Sequence, residues 1–157
     1  MDVVDSDPYS LAQTIALVAL APRARSKGEI LALLKKRGIA EDVAQAVMYR
    51  LQEQGLLNDE EFARAWSESR QRTKKLSRRM IAGELRAKGV DDETIARVTS
   101  EIDDRREYSL ALEMAMRKQR PIAHLDSEVV RRRIHSALAR RGFSSAVINE
   151  VMREIGI

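Results

Sequence analysis

The segment SKGEILALLKKRGIAEDVAQAVMYRL, residues 26–51, recurs twice more in this chain. The second copy, SRRMIAGELRAKGVDDETIARVTSEI, occupies residues 77–102, and the third, VRRRIHSALARRGFSSAVINEVMREI, occupies residues 130–155. When the copies are aligned on one shared glycine, at positions 38, 89 and 142, their apolar residues coincide. The glycines are therefore 51 and 53 residues apart. Repetition at such a period is typical of a modular array in which each copy is one supersecondary element.

Each shared glycine predicts the end of one helix and the start of the next. In every copy an Ile stands eight residues before the glycine and a Leu stands four before it, which is the spacing of one helix face. The residue directly before the glycine is Arg37, Lys88 or Arg141, a cation at the negative end of the helix dipole. Acidic or small polar residues follow shortly after the glycine, as expected for the first turn of a second helix.

A further helix is predicted before each copy, so that each repeat has three helices. Leu11 and Ile15 stand 27 and 23 residues before the first glycine, and Phe62 and Trp66 stand at the same distances before the second. This shared register predicts that these side chains belong to the core rather than to a surface that stacks on bases. The third repeat fits the register when three extra residues are allowed in a linker at 121–127.

We therefore predict an all-α protein of three tandem three-helix repeats, stacked into an elongated, curved array. The predicted repeats span residues 8–53, 58–102 and 104–155. Residues 1–7 are predicted to be a disordered N-terminus.

The composition narrows the class of protein. There is no Cys, which excludes disulfides and thiolate metal sites and fits a cytoplasmic location. No apolar run approaches the roughly 18 residues of a membrane span. The most apolar segment, residues 11–21, follows three Asp residues rather than a basic segment, so we do not expect a signal peptide.

The sequence offers little that resembles catalytic chemistry. His124 and His135 lack the spacing of a zinc site, and no phosphate-binding loop is present. Asp59, Glu60 and Glu61 cluster at a predicted helix start, where they stabilise the helix dipole rather than face each other across a cleft. We therefore expect no enzymatic activity, no cofactor and no metal.

Positive charge is concentrated in two blocks. Residues 70–88 hold eight Lys or Arg against one acidic residue, and residues 117–141 hold eight against two, whereas the whole chain carries only +4. A solvated helix face would explain either block alone, but two blocks favour contact with a polyanion or an acidic protein face. Because no aromatics alternate with the cations, we expect any DNA contact to be independent of sequence. The predicted contact residues are Arg70, Arg72, Lys74, Lys75, Arg78, Arg79, Lys118, Arg120, Arg131, Arg132, Arg133, Arg140 and Arg141.

The three repeats resemble the RecX family of bacterial recombination regulators. The matching pieces are RS at 25–26 with EI at 29–30, LLND at 56–59 with FARA at 62–65, SRR at 77–79 with KGV at 88–90, and ARRGFS at 139–144. In order and at repeat spacing, they cover about residues 8–155. One departure is that several relatives carry Gly within the basic loop, where this chain has Lys74-Lys75-Leu76-Ser77.

The resemblance implies an all-helical protein that is not an enzyme. Family members bind the RecA recombinase, lodge along the groove of its nucleoprotein filament, and suppress its ATPase and strand exchange. They also act weakly on DNA. We accordingly expect the RecA filament as partner, weak non-specific binding of single-stranded DNA, and a monomer.

Two alternatives remain open from the residues alone. A sequence-independent DNA-binding protein of helix-turn-helix type would need a recognition helix, but the helices after Gly38 and Gly89 open with acidic residues. A repeat scaffold for an acidic protein would bind its partner equally well with or without DNA.

Overall fold

The computed structural model describes residues 7–157, and within that range it contains nine α-helices and no strand. The helices are α1 Pro8–Leu20, α2 Lys27–Lys36, α3 Glu41–Glu53, α4 Asp59–Lys74, α5 Arg78–Ala87, α6 Asp92–Thr99, α7 Asp104–Ile122, α8 Ser127–Arg140 and α9 Ser145–Glu154. The predicted all-α class of three tandem three-helix repeats is confirmed. Of the segment predicted to be disordered, residues 1–7, the first six residues lie outside the described residues. Asp7 is the N-cap of α1, and its side chain accepts a hydrogen bond from the Tyr9 N–H.

The helix ends follow from the local sequence. Ser26 and Glu29 form the reciprocal hydrogen bonds of a capping box at the start of α2. Gly38, Gly89 and Gly142 have φ angles of 79°, 80° and 90°, the left-handed conformation that ends a helix and that glycine adopts without strain.

The chain divides into two compact units. The first comprises Met1–Arg64 and Leu85–Thr94, and the second comprises Ala65–Glu84 and Ile95–Ile157. The core of the first unit is built from α1, α2 and α3, and that of the second from α7, α8 and α9. Residues of the middle repeat contribute to both units.

The core face of α1 differs from the prediction at Leu11, whereas Ile15 packs partly buried against the core. Leu11 is 46% exposed, whereas Ala12, Ala16 and Ala19 are buried. Methyl side chains at the contact allow α1 to approach α2 and α3 closely, because the distance between helix axes depends on the residues at the interface. The prediction for Phe62 is confirmed, since it is 5% exposed.

The linker predicted at 121–127 is also wrong. Helix α7 continues through Ile122 with Pro121 in its last turn, and α8 already begins at Ser127. A proline so close to the helix end removes only one backbone hydrogen bond, so the helix continues past it. The additional residues of the third repeat are therefore largely helical, and Arg131 lies in the second turn of α8.

In the first unit, residues of the second repeat fasten the start of α2. The Ser26 hydroxyl donates to the carbonyl of Lys88, and the backbone N–H of Lys27 donates to the buried carboxylate of Asp59 at 2.8 Å. The backbones of Gly28 and Gly89 are in contact, since a Cβ on Gly28 would lie 2.7 Å from the Gly89 Cα. We call this arrangement the first joint.

In the second unit, residues of the third repeat fasten the start of α5 in the same way. The Ser77 N–H donates to the Arg141 carbonyl at 3.0 Å, and the Arg78 N–H donates to the buried Glu107 carboxylate at 3.2 Å. A Cβ on Gly142 would collide with the Ser77 hydroxyl. We call this arrangement the second joint. At both joints a carboxylate from the following repeat faces the positive end of a helix dipole, which is a favourable placement.

Candidate polyanion-binding surface

The net charge differs strongly between the two units. The second unit holds 18 Lys or Arg against 11 Asp or Glu, a net of +7, and the first holds 10 against 13, a net of −3. All thirteen predicted contact residues belong to the second unit. The candidate surface is therefore a property of that unit.

Arg70 is held within the second unit by a carboxylate and a ring. Its guanidinium forms two hydrogen bonds with Glu84, at 2.8 and 2.6 Å, and lies 5.1 Å from the centroid of the Trp66 ring. The hydrogen bond with Glu84 raises the pKa of Arg70. This side chain is engaged on both sides by its own unit.

Arg78 forms part of the second joint. Its guanidinium donates to the Ile102 carbonyl at 2.8 Å and to Asp104 at 2.6 Å, and it lies 3.4 Å from the Glu107 carboxylate. Burial raises the pKa of Glu107, while the Arg78 N–H and guanidinium oppose that shift. Arg78 thus partly compensates the burial of a carboxylate.

Lys75 and Arg141 also have internal partners. Lys75 pairs with Glu113 at 2.9 Å, its side chain is only 12% exposed, and this hydrogen bond lowers the pKa of Glu113. Lys75 has a φ of 52°, a left-handed conformation that is uncommon for residues other than glycine. Arg141 donates to the carbonyls of Lys74 and Ala137 at 3.2 and 3.0 Å.

The other nine predicted contact residues are exposed to solvent. Within residues 7–157, no ion pair is formed by any of these nine side chains, so they remain available to a ligand. They are Arg72, Lys74, Arg79, Lys118, Arg120, Arg131, Arg132, Arg133 and Arg140.

The structure brings four of the nine together. A groove of about 440 Å³ is lined by Lys118 of α7 and by Arg132, Arg133 and Arg140 of α8. Arg120 instead borders a separate depression on α7 together with Arg117, a cation that the sequence prediction left out of the contact residues. The sequence signal that could have included Arg117 was its position in the second basic block, residues 117–141.

Arg78 and Arg79 are neighbours in sequence with opposite expected roles. We expect Arg78→Ala to lower the free energy of unfolding by about 1–3 kcal/mol, because the buried Glu107 carboxylate loses a charged partner. Arg79→Ala should change it by no more than about 0.5 kcal/mol, as at most exposed sites. Urea unfolding of both variants at pH 7 measures the difference.

The pH dependence of the free energy of unfolding provides a second test of the contact between Arg78 and Glu107. A carboxyl group whose pKa is raised on folding favours the folded state at low pH, and this contribution is lost as the pH rises above the usual 4.5. Without Arg78 the Glu107 pKa rises further, so the deficit of the Arg78→Ala variant should be larger at pH 7 than at pH 4. Equal stability of the Arg78 and Arg79 variants at pH 7 would contradict the assigned role.

No helix within residues 7–157 is long and apolar enough to cross a membrane.

The repeats and the whole chain are similar to known proteins of one family. Family models for the second and third three-helix domains of RecX match residues 58–98 and 105–152. Regulatory protein RecX of Amycolatopsis mediterranei is 36% identical over 152 residues, which cover 94% of this chain and 87% of the relative. Regulatory protein RecX of Streptomyces coelicolor is 38% identical over 148 residues, which cover 94% of this chain and 79% of the relative.

A solved structure gives the same result for the fold. The crystal structure of RecX from Lactobacillus salivarius superimposes with a TM-score of 0.84 over 96% of this chain and 97% of its own, at 22% sequence identity. The domain models, the relatives and the solved structure all indicate the same family. The chain belongs to the RecX family of regulatory proteins.

Proposed function

We propose that this regulatory protein inhibits the RecA recombinase by binding along the RecA–single-stranded DNA filament and suppressing its ATPase and strand-exchange activity. The observation that carries the proposal, beyond family membership, is the concentration in the +7 unit of nine exposed cations that form no ion pair with any described residue. We expect the protein to act in the cytoplasm as a monomer, without a cofactor and without catalysing a reaction itself.

Cations without internal partners are the ones that can bind a filament. Lys and Arg that meet phosphates release condensed counterions, which favours binding independently of base sequence. Several weak contacts with successive subunits of a filament add through effective concentration. We leave Arg70, Lys75, Arg78 and Arg141 out of the proposed contact surface, because their side chains already bind within the second unit.

The alternative of a helix-turn-helix DNA-binding protein has less support. Helix α3 opens with Glu41 and Asp42, and α6 opens with Asp92 and Glu93 in its first turn. Carboxylates at these positions repel the phosphates that the start of a recognition helix must approach. Stronger affinity for naked duplex DNA than for the RecA filament would favour this alternative.

The proposal is tested by single-stranded-DNA-dependent ATP hydrolysis of the cognate RecA, measured with increasing amounts of this protein. We expect hydrolysis to fall. Replacing Arg72, Lys74 and Arg79 together by Ala should raise the concentration for half-inhibition by about tenfold, as expected for the loss of several phosphate contacts.

A matched control removes the same charge elsewhere. Lys35, Lys36 and Arg37 are exposed in the first unit, and their joint replacement by Ala also lowers the net charge by three. We expect this control to inhibit nearly as well as the wild type. Unchanged ATP hydrolysis in the presence of the wild-type protein would contradict the proposed function, and equal losses in both variants would show only an effect of total charge.

A further inference from the structure

The space between α7 and α8 is lined by one face of each helix. Its volume of about 440 Å³ falls within the range of about 300–1,000 Å³ found for ligand pockets. The lining residues of α7 are spaced i, i+3 and i+4, and those of α8 follow the same helical periodicity. They are Lys118, Pro121 and Ile122 of α7 and Arg132, Arg133, Ser136, Ala137 and Arg140 of α8. We call this space the α7–α8 groove.

Four cations surround the groove, and no acidic side chain is among the described residues that line it. Lys118, Arg132, Arg133 and Arg140 are all exposed and form no ion pair within residues 7–157. Like charges gathered around one space repel each other, and an anion placed between them replaces that repulsion by attraction. The groove therefore favours a ligand with a concentrated negative charge.

The apolar part of the lining is held in place by the core of the second unit. Ala137 is only 2% exposed, and Ile122 packs against the core built from α7, α8 and α9. Pro121 lies beside Ile122 in the last turn of α7. Because these residues are fixed by packing, the groove is formed before a ligand binds, which lowers the entropic cost of binding.

Cations and apolar side chains in one groove fit a ligand that is compact, highly charged at one end and less polar at the other. In a nucleic-acid strand a sugar separates consecutive phosphates, whereas in a nucleoside triphosphate three phosphoryl groups are joined directly. The triphosphate therefore concentrates its charge as the four cations do, and arginine binds phosphate oxygens through paired hydrogen bonds. Its nucleoside supplies the less polar part.

The neighbouring depression indicates where the groove ends. It shares Arg132 and Ser136 with the groove and contains Arg131 and His135, but it also contains Glu128. A carboxylate repels phosphates and weakens the attraction for a chain of phosphates that continues past Ser136. This placement favours a ligand confined to the α7–α8 groove.

The groove lacks the groups that distinguish one base from another. Among its described lining residues there is no Asn or Gln, and Ser136 is the single uncharged polar side chain. A serine hydroxyl is a common donor to phosphate oxygens. We therefore expect the ligand to be recognised by its phosphates and by apolar contact rather than by the identity of its base.

We propose that the α7–α8 groove binds a nucleoside triphosphate, with its phosphates among the four cations and its nucleoside against Pro121 and Ile122. The nucleotide is a regulatory ligand, neither a cofactor nor a substrate, and its binding does not depend on the proposed function. The consequence rests on that function. An occupied groove withdraws four of the nine exposed cations from the RecA filament, so the nucleotide weakens the filament contact.

The test is isothermal titration calorimetry of the full chain with ATP, without recombinase and without divalent cations, which would neutralise part of the triphosphate charge. We expect one ATP to bind per chain. The groove variant Arg132→Ala, Arg133→Ala, Arg140→Ala should bind it at least about tenfold more weakly, because each charged hydrogen bond that is lost accounts for roughly a factor of ten. No binding of ATP to the wild type would overturn the inference.

A matched control removes the same charge from the same unit outside the groove. Arg72, Lys74 and Arg79 are exposed, and their joint replacement by Ala should weaken ATP binding by less than about threefold, since salt screens distant charges. Far-ultraviolet circular dichroism of both variants checks that the helices are intact. Equal losses in the two variants would mean that ATP responds to the charge of the unit and not to the groove, which would contradict the inference.

Other anions identify which part of the ligand is bound. We expect affinity to fall from ATP to ADP to AMP, and GTP to bind within about threefold of ATP, because no base is read. Inorganic triphosphate should bind at least about threefold more weakly than ATP, since it lacks the apolar contact. Inorganic triphosphate as tight as ATP would overturn the assignment to a nucleotide, and orthophosphate as tight as ATP would reduce the groove to an unspecific anion site.

The outcome is independent of RecA inhibition, which is assayed in parallel. ATP binding that depends on the groove arginines supports the inference even if the wild-type protein leaves RecA ATP hydrolysis unchanged. Failure of ATP to bind overturns the inference even if inhibition of RecA is complete.

Discussion

Replacing Gly89 by Ala should lower the free energy of unfolding by about 2–5 kcal/mol, whereas replacing Gly38 by Ala should cost only about 1–2 kcal/mol. The two glycines have φ angles of 80° and 79°, so both variants incur the same left-handed strain of about 1–2 kcal/mol. They differ in their surroundings. A Cβ on Gly38 meets no atom within 4 Å, but a Cβ on Gly89 would lie 2.9 Å from the Gly28 Cα. Forcing atoms into such a packed contact costs roughly a further 1–3 kcal/mol.

The difference between these variants, measured by urea unfolding, isolates the backbone contact of the first joint. Gly28→Ala checks it independently, because Gly28 lies within α2. In an open helix this change would stabilise the protein by up to about 1 kcal/mol. Contact with Lys88 and Gly89 should reverse the sign, since the new Cβ would lie 2.8 Å from the Lys88 carbonyl oxygen. A stabilised Gly28→Ala variant, or equal losses at Gly38 and Gly89, would contradict the joint.

The sequence predicted the helix ends at these glycines but not the joints. A glycine that ends a helix follows from local conformation, which the repeat alignment displays. The approach of Gly28 to Gly89 depends on how two repeats pack, and no local pattern encodes it. Asp59 illustrates the same limit. Its position at a helix start suggested a dipole partner for α4, whereas its carboxylate accepts from Lys27 at the start of α2.

The sequence predicted all thirteen cations of the candidate surface as one set. Only the structure separates those with internal partners from those that are exposed. In sequence, Arg78 and Arg79 are equivalent members of one basic block. The carboxylates that engage Arg78 come from α7, 26 and 29 residues further along the chain, so their proximity depends on tertiary packing. Charge counting therefore located the unit that carries the excess of positive charge, but it could not separate cations that stabilise the fold from cations that remain available to a ligand.

The core of α1 shows where periodicity is ambiguous. Leu11 and Ala12 both fit a helical stripe, and the sequence analysis favoured Leu11 because it stands 27 residues before Gly38, as Phe62 does before Gly89. The structure buries Ala12 completely and leaves Leu11 46% exposed. Side-chain size alone therefore does not decide which face of α1 is internal.

This difference leads to a direct comparison of two leucines. Leu85 is completely buried, stands four residues before Gly89, and has equivalents at Leu34 and Leu138 that are also completely buried. We expect Leu85→Ala to lower the free energy of unfolding by about 2–5 kcal/mol, through lost apolar burial and the cavity left behind. Leu11→Ala should lower it by less than about 1 kcal/mol, because nearly half of that side chain already contacts water.

Thermal and urea unfolding of the two variants, compared at the same temperature, measure both effects. The denaturant dependence should stay unchanged in each, since neither substitution alters the surface exposed on unfolding by much. A loss near zero for Leu85→Ala would mean that the aligned leucines are not the core positions of the repeats. A loss at Leu11 as large as at Leu85 would instead restore the original register of α1, because only a buried leucine leaves a cavity when it is truncated.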